Sequence, residues 1–423
     1  MFRHISGFAA ALFLAAICVT GASAATITIA CGPTSGPNFE FCKRHADAWA
    51  KKTGNTINVF SAPITTTDTL ALYRQMFAAQ SADIDVMMID VTSPGTLKDH
   101  LVDLKPYAKG AELQHFPSII TNNTVDGRLL GMPWYADAAL LYYRKDLLEK
   151  YKLNVPKTWD DFAATAKKIQ AAERGAGNAD FQGFVFQAKA YEGLTCNTLE
   201  WFLSFGGGTF VDNTGKITIN NPGGIKALNT AASWIGTIAP TGVLNYGEED
   251  ARGVFQNGKA LFMRNWGYAL KLVEAADSPV KGKVGLALLP KGSDASKTAS
   301  TLGGRELAVS KYSRNIAASA DLVMYMTSAE VEKDRAVRGS YIPTRPELFK
   351  DKDVLASNPF MANIYAALMD GGARPSTVTA MKYPEVSNTV WIAAHDVLSK
   401  KVSAEESLKK AEAKLNQIKR NKW

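Results

Sequence analysis

A chain of 423 residues is long enough for two domains of ordinary size. Its formal charge of +8 is mild for that length, and its lysines are scattered apart from a cluster at the C-terminus (Lys409, Lys410, Lys414, Lys419, Arg420, Lys422). A nucleic-acid binder needs a basic face with interleaved aromatics or a known module; neither is visible, so nucleic acid is excluded and the cluster reads as a solvated face.

In chain order, Arg3 precedes an apolar run from Phe8 to Val19, and Ala22-Ser23-Ala24 presents small residues. That is the pattern of a secretory signal peptide over residues 1–24, cleaved after Ala24. The run is too short and Ala-rich for a membrane span, and Ile17 does not suit lipidation at Cys18. The reading is a soluble exported protein. Export permits disulfides, and Cys31 and Cys42 are the nearest pair, but Cys196 makes the count odd and sequence alone leaves the connectivity open. His45, His100, His115 and His395 lie far apart, without C-x-x-C or H-E-x-x-H, so no metal site is expected.

From Ala25 the pattern alternates: strand Thr26 to Ala30, helix Phe39 to Lys52 ended by Gly54, strand Thr56 to Phe60, helix Thr69 to Gln80, apolar strand Ile84 to Ile89. The first helix is expected to bury Phe41, Cys42, His45, Ala48 and Trp49. Unbroken apolar strands imply an open α/β sheet covered on both faces. A second region starts near Gly131, with a strand from Ala138 to Tyr143 and a helix capped by Thr158 and Asp161. The run Lys281 to Pro290 reads as a strand with a turn on each side, Ser293 to Ser300 as a loop. From Ala356 the chain is mostly helical, closing on an amphipathic helix from Ala404 to about Lys419.

Catalytic motifs are missing. There is no phosphate-binding G-x-x-x-x-G-K-[ST], G-x-G-x-x-G or G-x-S-x-G. Ser407-Leu-Lys-Lys410 matches S-x-x-K without companion motifs. Glu248-Glu249-Asp250 suggests paired acids, but glycoside hydrolysis needs two carboxyls at a set separation, and adjacent acids are more often solvent-exposed.

The stretch Gly131-Met-Pro-Trp-Tyr-Ala-Asp137-Ala-Ala-Leu-Leu-Tyr-Tyr-Arg-Lys-Asp-Leu-Leu148 resembles the crossing segment of the family-1 extracellular solute-binding proteins of ABC importers. Further blocks match in order: Pro156–Phe162, Tyr191–Cys196, Phe255–Ala260, Arg264–Tyr268 and Thr301–Gly304. Within that family the likeness is strongest to the trehalose/maltose-binding proteins, over nearly the whole mature chain. The resemblance implies a two-lobed periplasmic-binding-protein type II fold, with a ligand cleft between α/β lobes joined by three hinge crossings. Lobe one would span 25–136 plus 284–340 and lobe two 137–283 plus 341–423. Crossings would fall near Tyr135–Ala139, Val284 and Tyr341-Ile-Pro343. It further implies a periplasmic monomer, not an enzyme, that captures a disaccharide such as trehalose, maltose or another α-glucoside. The partners would be that ligand and the ABC permease with its ATPase, and no cofactor is expected.

A sugar site needs planar polar groups for hydroxyls and aromatic plates for ring faces. Asp90 ends an apolar strand, where ligands of open α/β sheets sit; the other reading is a turn residue. Asp137 is a lone acid in an apolar stretch, reading as a ligand for hydroxyls or a hinge hydrogen bond. By the resemblance, Trp266 stacks on a ring, Glu40 reaches the ligand from lobe one, and Arg374 forks onto the sugar. Glu40 equally suits a first-turn acid on a helix. Tyr191 and Glu192 are lobe-two candidates, and Gly303 and Gly304 either admit backbone N–H groups to the ligand or form a plain turn. Arg305-Glu306 departs from relatives that carry Trp after the paired glycines, and at Tyr73-Arg74 the family's Arg falls a residue or two earlier. Arg305 could stack, pair with Glu306, or meet an acidic sugar. Alternative readings are therefore a binder of a polyol, sugar acid or other anionic sugar, a secreted carbohydrate-active enzyme, or a sensory module.

Overall fold

Two sheets organise the chain. The computed structural model describes residues 24–423 except 35, 294, 295 and 370; the signal peptide expected over residues 1–24 lies outside them apart from Ala24. The first sheet runs in the order Thr56–Phe60, Thr26–Ala30, Val86–Asp90, Leu302–Val309, Met132–Ala138. Its first three strands are parallel, and Leu302–Val309 is antiparallel to both neighbours. The second sheet orders Val284–Ala287, Leu140–Arg144, Ala260–Asn265, Gln182–Val185. The strand and helix alternation implied α/β sheets of this kind, and the two-lobed arrangement is the one that the resemblance implied.

Burial follows the side-chain period of a strand, two residues. Val86 and Met88 point into one apolar core with Trp49 and Leu307, while Met87 and Ile89 point into a second with Tyr73, Phe77 and Ala308. The strand is therefore wholly buried and carries Asp90 at its carboxyl edge. Helix Pro37–Thr53 stops at Gly54, whose φ of 75° is a left-handed conformation that suits glycine. It buries Cys42, His45 and Trp49, but Ala48 faces solvent and Ala46 takes its place in the core. Cys31 and Cys42 form a disulfide with their Cα atoms 5.7 Å apart, and Cys196 is a free, buried thiol.

Three differences concern how the chain passes between lobes. The expected strand Ala138 to Tyr143 is divided: Met132–Ala138 belongs to one sheet, Leu140–Arg144 to the other, and Ala139 alone joins them. The Ala139 N–H is held by Ser300 Oγ at 2.7 Å. The return near Val284 comes later than expected, because Val284–Ala287 pairs with Leu140–Arg144 in the second sheet; the first sheet is rejoined only at Leu302. The last crossing is spread out rather than set at Tyr341. Ile342 still bonds Ala136, and the Phe349 and Tyr365 rings pack on Phe116, whereas Met361 and Ile364 join the second lobe's core.

Candidate functional site

The first half of the site is a chain of charges. Arg305 stands directly opposite Asp90 in the strand register, so its guanidinium reaches the Asp90 carboxylate and Thr66 Oγ1 at 2.8 Å. The other Asp90 oxygen accepts from the Thr92 N–H at 3.1 Å and hydroxyl at 2.8 Å, so its turn role also holds. Arg374 Nη2 lies 3.3 Å from Asp90, and Arg374 Nη1 donates to Glu192 at 2.7 Å. Glu192 further accepts from the Tyr383 hydroxyl and from Ser387 Oγ at 2.5 Å. Asp90 belongs to the first lobe, and Glu192 opens a helix of the second, so Arg374 bridges the two.

Asp90, Arg374 and Glu192 are only 8%, 5% and 7% exposed, which makes their pairing decisive. Burial alone would raise Asp90, but the charges of Arg374 and Arg305 outweigh it and hold the carboxyl below its usual range. For Glu192 burial wins over Arg374, and its carboxyl sits above the usual range. Two guanidiniums facing two carboxyls leave no unbalanced positive charge for an anion. A recess of about 40 Å³ beside Asp90 and Arg305 is lined also by Thr66, Thr69 and Tyr73. It holds a water-sized group rather than a ring.

The second half is built around an indole. Trp266 follows Ala260–Asn265 and lies against Gly303 across the lobes: a Cβ on Gly303 would come 3.1 Å from the ring and 3.2 Å from Asp137 Cβ. A side chain at Gly303 would have to push the ring or Asp137 back by a few tenths of an ångström, and at Gly304 the φ of +138° would strain any side chain. Trp266 Nε1 donates to Glu248 at 3.3 Å, and the Arg264 guanidinium lies 4.0 Å from the ring centre. Glu248 also accepts from the Tyr191 hydroxyl at 2.7 Å. Asp137 Oδ1 accepts from the Gly267 N–H at 3.1 Å and from Ala138 at 3.2 Å, so it both fixes the Trp266 turn and faces the same cluster.

Asp90, Arg305, Arg374 and Glu192 therefore meet in one network, and Asp137, Tyr191, Trp266 and Gly303 in another, with Gly304 next to Arg305. Glu40 joins neither: it stands exposed on the first helix, which favours its reading as a first-turn acid. Arg305 pairs with Asp90 rather than Glu306, which points the opposite way along the strand and is buried. Of the acidic run, Asp250 is exposed as expected, whereas Glu248 and Glu249 are half-buried. Glu248 supports Trp266 and Tyr191, Glu249 takes the Tyr268 hydroxyl at 2.6 Å, and Asp250 accepts from Gly247 N–H at the helix start. Thr66, Tyr383, Ser387 and Glu200 were not singled out from the sequence; Glu248 was read as a solvated acid, and Arg264 entered only as the start of a matching block. Only Arg264 carried a usable signal: it is two residues from Trp266, the spacing that puts strand side chains on one face.

Burial pushes Asp137 up to about 7, against the pull of the Gly267 N–H and the Arg264 charge. An unfolded chain releases that proton near 3.8. Between these values the folded protein binds the extra proton, so this group's contribution to stability falls as pH rises through the window. Asp137→Asn never carries the charge. Its melting temperature minus that of the parent should climb from about pH 4 to 7 and then level off; a flat difference would show that Asp137 ionises normally.

A family model described as bacterial extracellular solute-binding protein matches residues 34–333. A probable ABC transporter-binding protein of Deinococcus radiodurans is 50% identical over 404 residues, covering 95% of this chain and 96% of its own. Among solved structures, maltose-bound T. maritima MalE3 superposes with a TM-score of 0.88 at 36% identity, over 93% of this chain and 100% of its own. An ABC transporter solute-binding protein from Thermotoga lettingae, bound with α-D-tagatose, gives 0.82 at 26% identity, again over 93% and 100%.

Proposed function

The chain belongs to the bacterial extracellular solute-binding protein family, and on that premise we propose that it captures a neutral cyclic sugar between its lobes and delivers it to an ABC permease in the periplasm. A disaccharide such as maltose or trehalose is the ligand we favour, and the maltose-bound relative at 36% identity supports that class. The carrying observation is the charge balance of the cleft. Arg305 is engaged by Asp90, and Arg374 by Asp90 and Glu192. Each guanidinium already faces a carboxylate, although Arg374 Nε has no partner among the described residues, and this balance disfavours the anionic-sugar reading that Arg305 suggested. Paired carboxylates and guanidiniums instead offer acceptors and donors to hydroxyls, and the indole of Trp266 offers a flat apolar face.

Binding needs no bond making. Groups contributed by both lobes reward only the closed arrangement, so ligand shifts the hinge equilibrium by its differential affinity. The test is a thermal-shift screen with maltose, trehalose, mannitol and glucuronate. A neutral sugar at 100 times its Kd should add about 2.7 kcal/mol of stability and be recovered intact. Stabilisation by glucuronate alone would overturn the proposal.

A further inference from the structure

Behind Trp266 lies a set of buried polar groups that contact with a ligand does not itself require. Arg264 is 2% exposed and stacks on the indole with its guanidinium carbon 4.0 Å from the ring centre. Its plane is pinned from the far side: Glu200 accepts from Nε at 3.1 Å and from Nη2, and Gln187 Oε1 accepts from Nη1 at 3.1 Å. Gln187 donates in return to the Arg264 carbonyl at 3.0 Å. Glu200 also accepts from the Thr301 N–H at 3.4 Å, where the chain is about to rejoin the first sheet.

An apolar side chain would fill the space behind an indole without desolvating a charge pair, and such pairs are often neutral or worse for stability. What a guanidinium adds is a flat face held in a fixed plane by a fork of donors. A plate backed by a flat, fixed group cannot tilt. Glu248 at the indole N–H and Gly303 at the ring edge bound it in the other directions.

We propose that Arg264, fixed by Glu200 and Gln187, is a positioning residue that sets the plane of Trp266 and so makes the cleft prefer ligands with a flat ring face over acyclic polyols. The inference rests on the reading of the cleft as a sugar site. Arg264 acts through the ring, because it stacks on the indole and is itself buried. A pyranose gains from a fixed plate across its whole C–H face, whereas a flexible polyol relies on hydroxyl contacts that the plate does not supply.

The test uses protein labelled with 5-fluorotryptophan, the Trp266 line being identified by its loss in Trp266→Phe, together with calorimetric titration of maltose and D-mannitol. Arg264→Lys keeps a charge opposite Glu200 but loses the fork; Arg264→Met with Glu200→Gln removes both charges and leaves none stranded. In both, the Trp266 line is expected to shift and broaden. The Kd for maltose should rise ~10-fold or more and that for mannitol less than ~3-fold. An unmoved Trp266 line in the folded variants overturns the positioning role whatever binds, and equal weakening of both ligands overturns the ring preference. Failure of the parent protein to bind any sugar would instead overturn the sugar reading, while the fluorine line still decides what Arg264 does.

Discussion

Arg374→Ala is expected to cost about 3–5 kcal/mol of stability, the range seen when one partner of a buried ion pair is removed. The side chain is 5% exposed and stands between Asp90 at 3.3 Å and Glu192 at 2.7 Å. Truncation leaves Glu192 on the second lobe without a guanidinium and leaves Asp90 on the first with Arg305 alone. Urea denaturation should show the loss directly. The double change Arg374→Met, Glu192→Gln removes the stranded charge, leaves Asp90 paired with Arg305, and should recover much of it. It should not recover ligand affinity, because the forked donors of Arg374 are gone. If Arg374→Ala were as stable as the parent, the network would be a surface feature and the bridge between lobes would carry no weight.

Trp266→Ala is expected to weaken the best sugar ligand by about 1.5–3 kcal/mol, the value of burying one aromatic side chain, which is roughly a 10- to 150-fold rise in Kd. The ring occupies the space that Gly303 leaves and sits beside Asp137, so its removal opens a gap at the point where the lobes meet. Trp266→Phe keeps a smaller plate and loses the bond to Glu248, and it should fall between the two. Calorimetry on the three proteins gives the order; identical affinities would remove Trp266 from the site.

Local physics was legible in the sequence. An unbroken apolar run predicted the fully buried strand that ends at Asp90, and a strand's carboxyl edge is where a ligand meets an open sheet. The Thr158 cap and the final helix Ala404–Lys419 also stand where composition put them. What the sequence hid depends on partners far along the chain. Arg305 and Asp90 are 215 positions apart, and Arg374 and Glu192 are 182 apart; no local pattern distinguishes these arginines from exposed ones. Glu248 looked like one of three solvated acids, because only the tertiary fold brings Tyr191 and Trp266 to its carboxylate. Ala139 reads as part of one apolar strand, since periodicity does not change when a chain leaves one sheet for another. Val284–Ala287 is strand-like in either lobe, and its antiparallel pairing with Leu140–Arg144 settles its place.

In the proposed cycle a sugar is held between two lobes that come together on it. Small-angle scattering during titration with the sugar that gives the largest thermal shift tests this most directly. Saturation should shrink the radius of gyration until the curve matches the arrangement in which Arg374 joins Asp90 to Glu192. A curve that stays the same from the first addition to saturation, with the sugar demonstrably bound, would place the ligand somewhere other than this cleft.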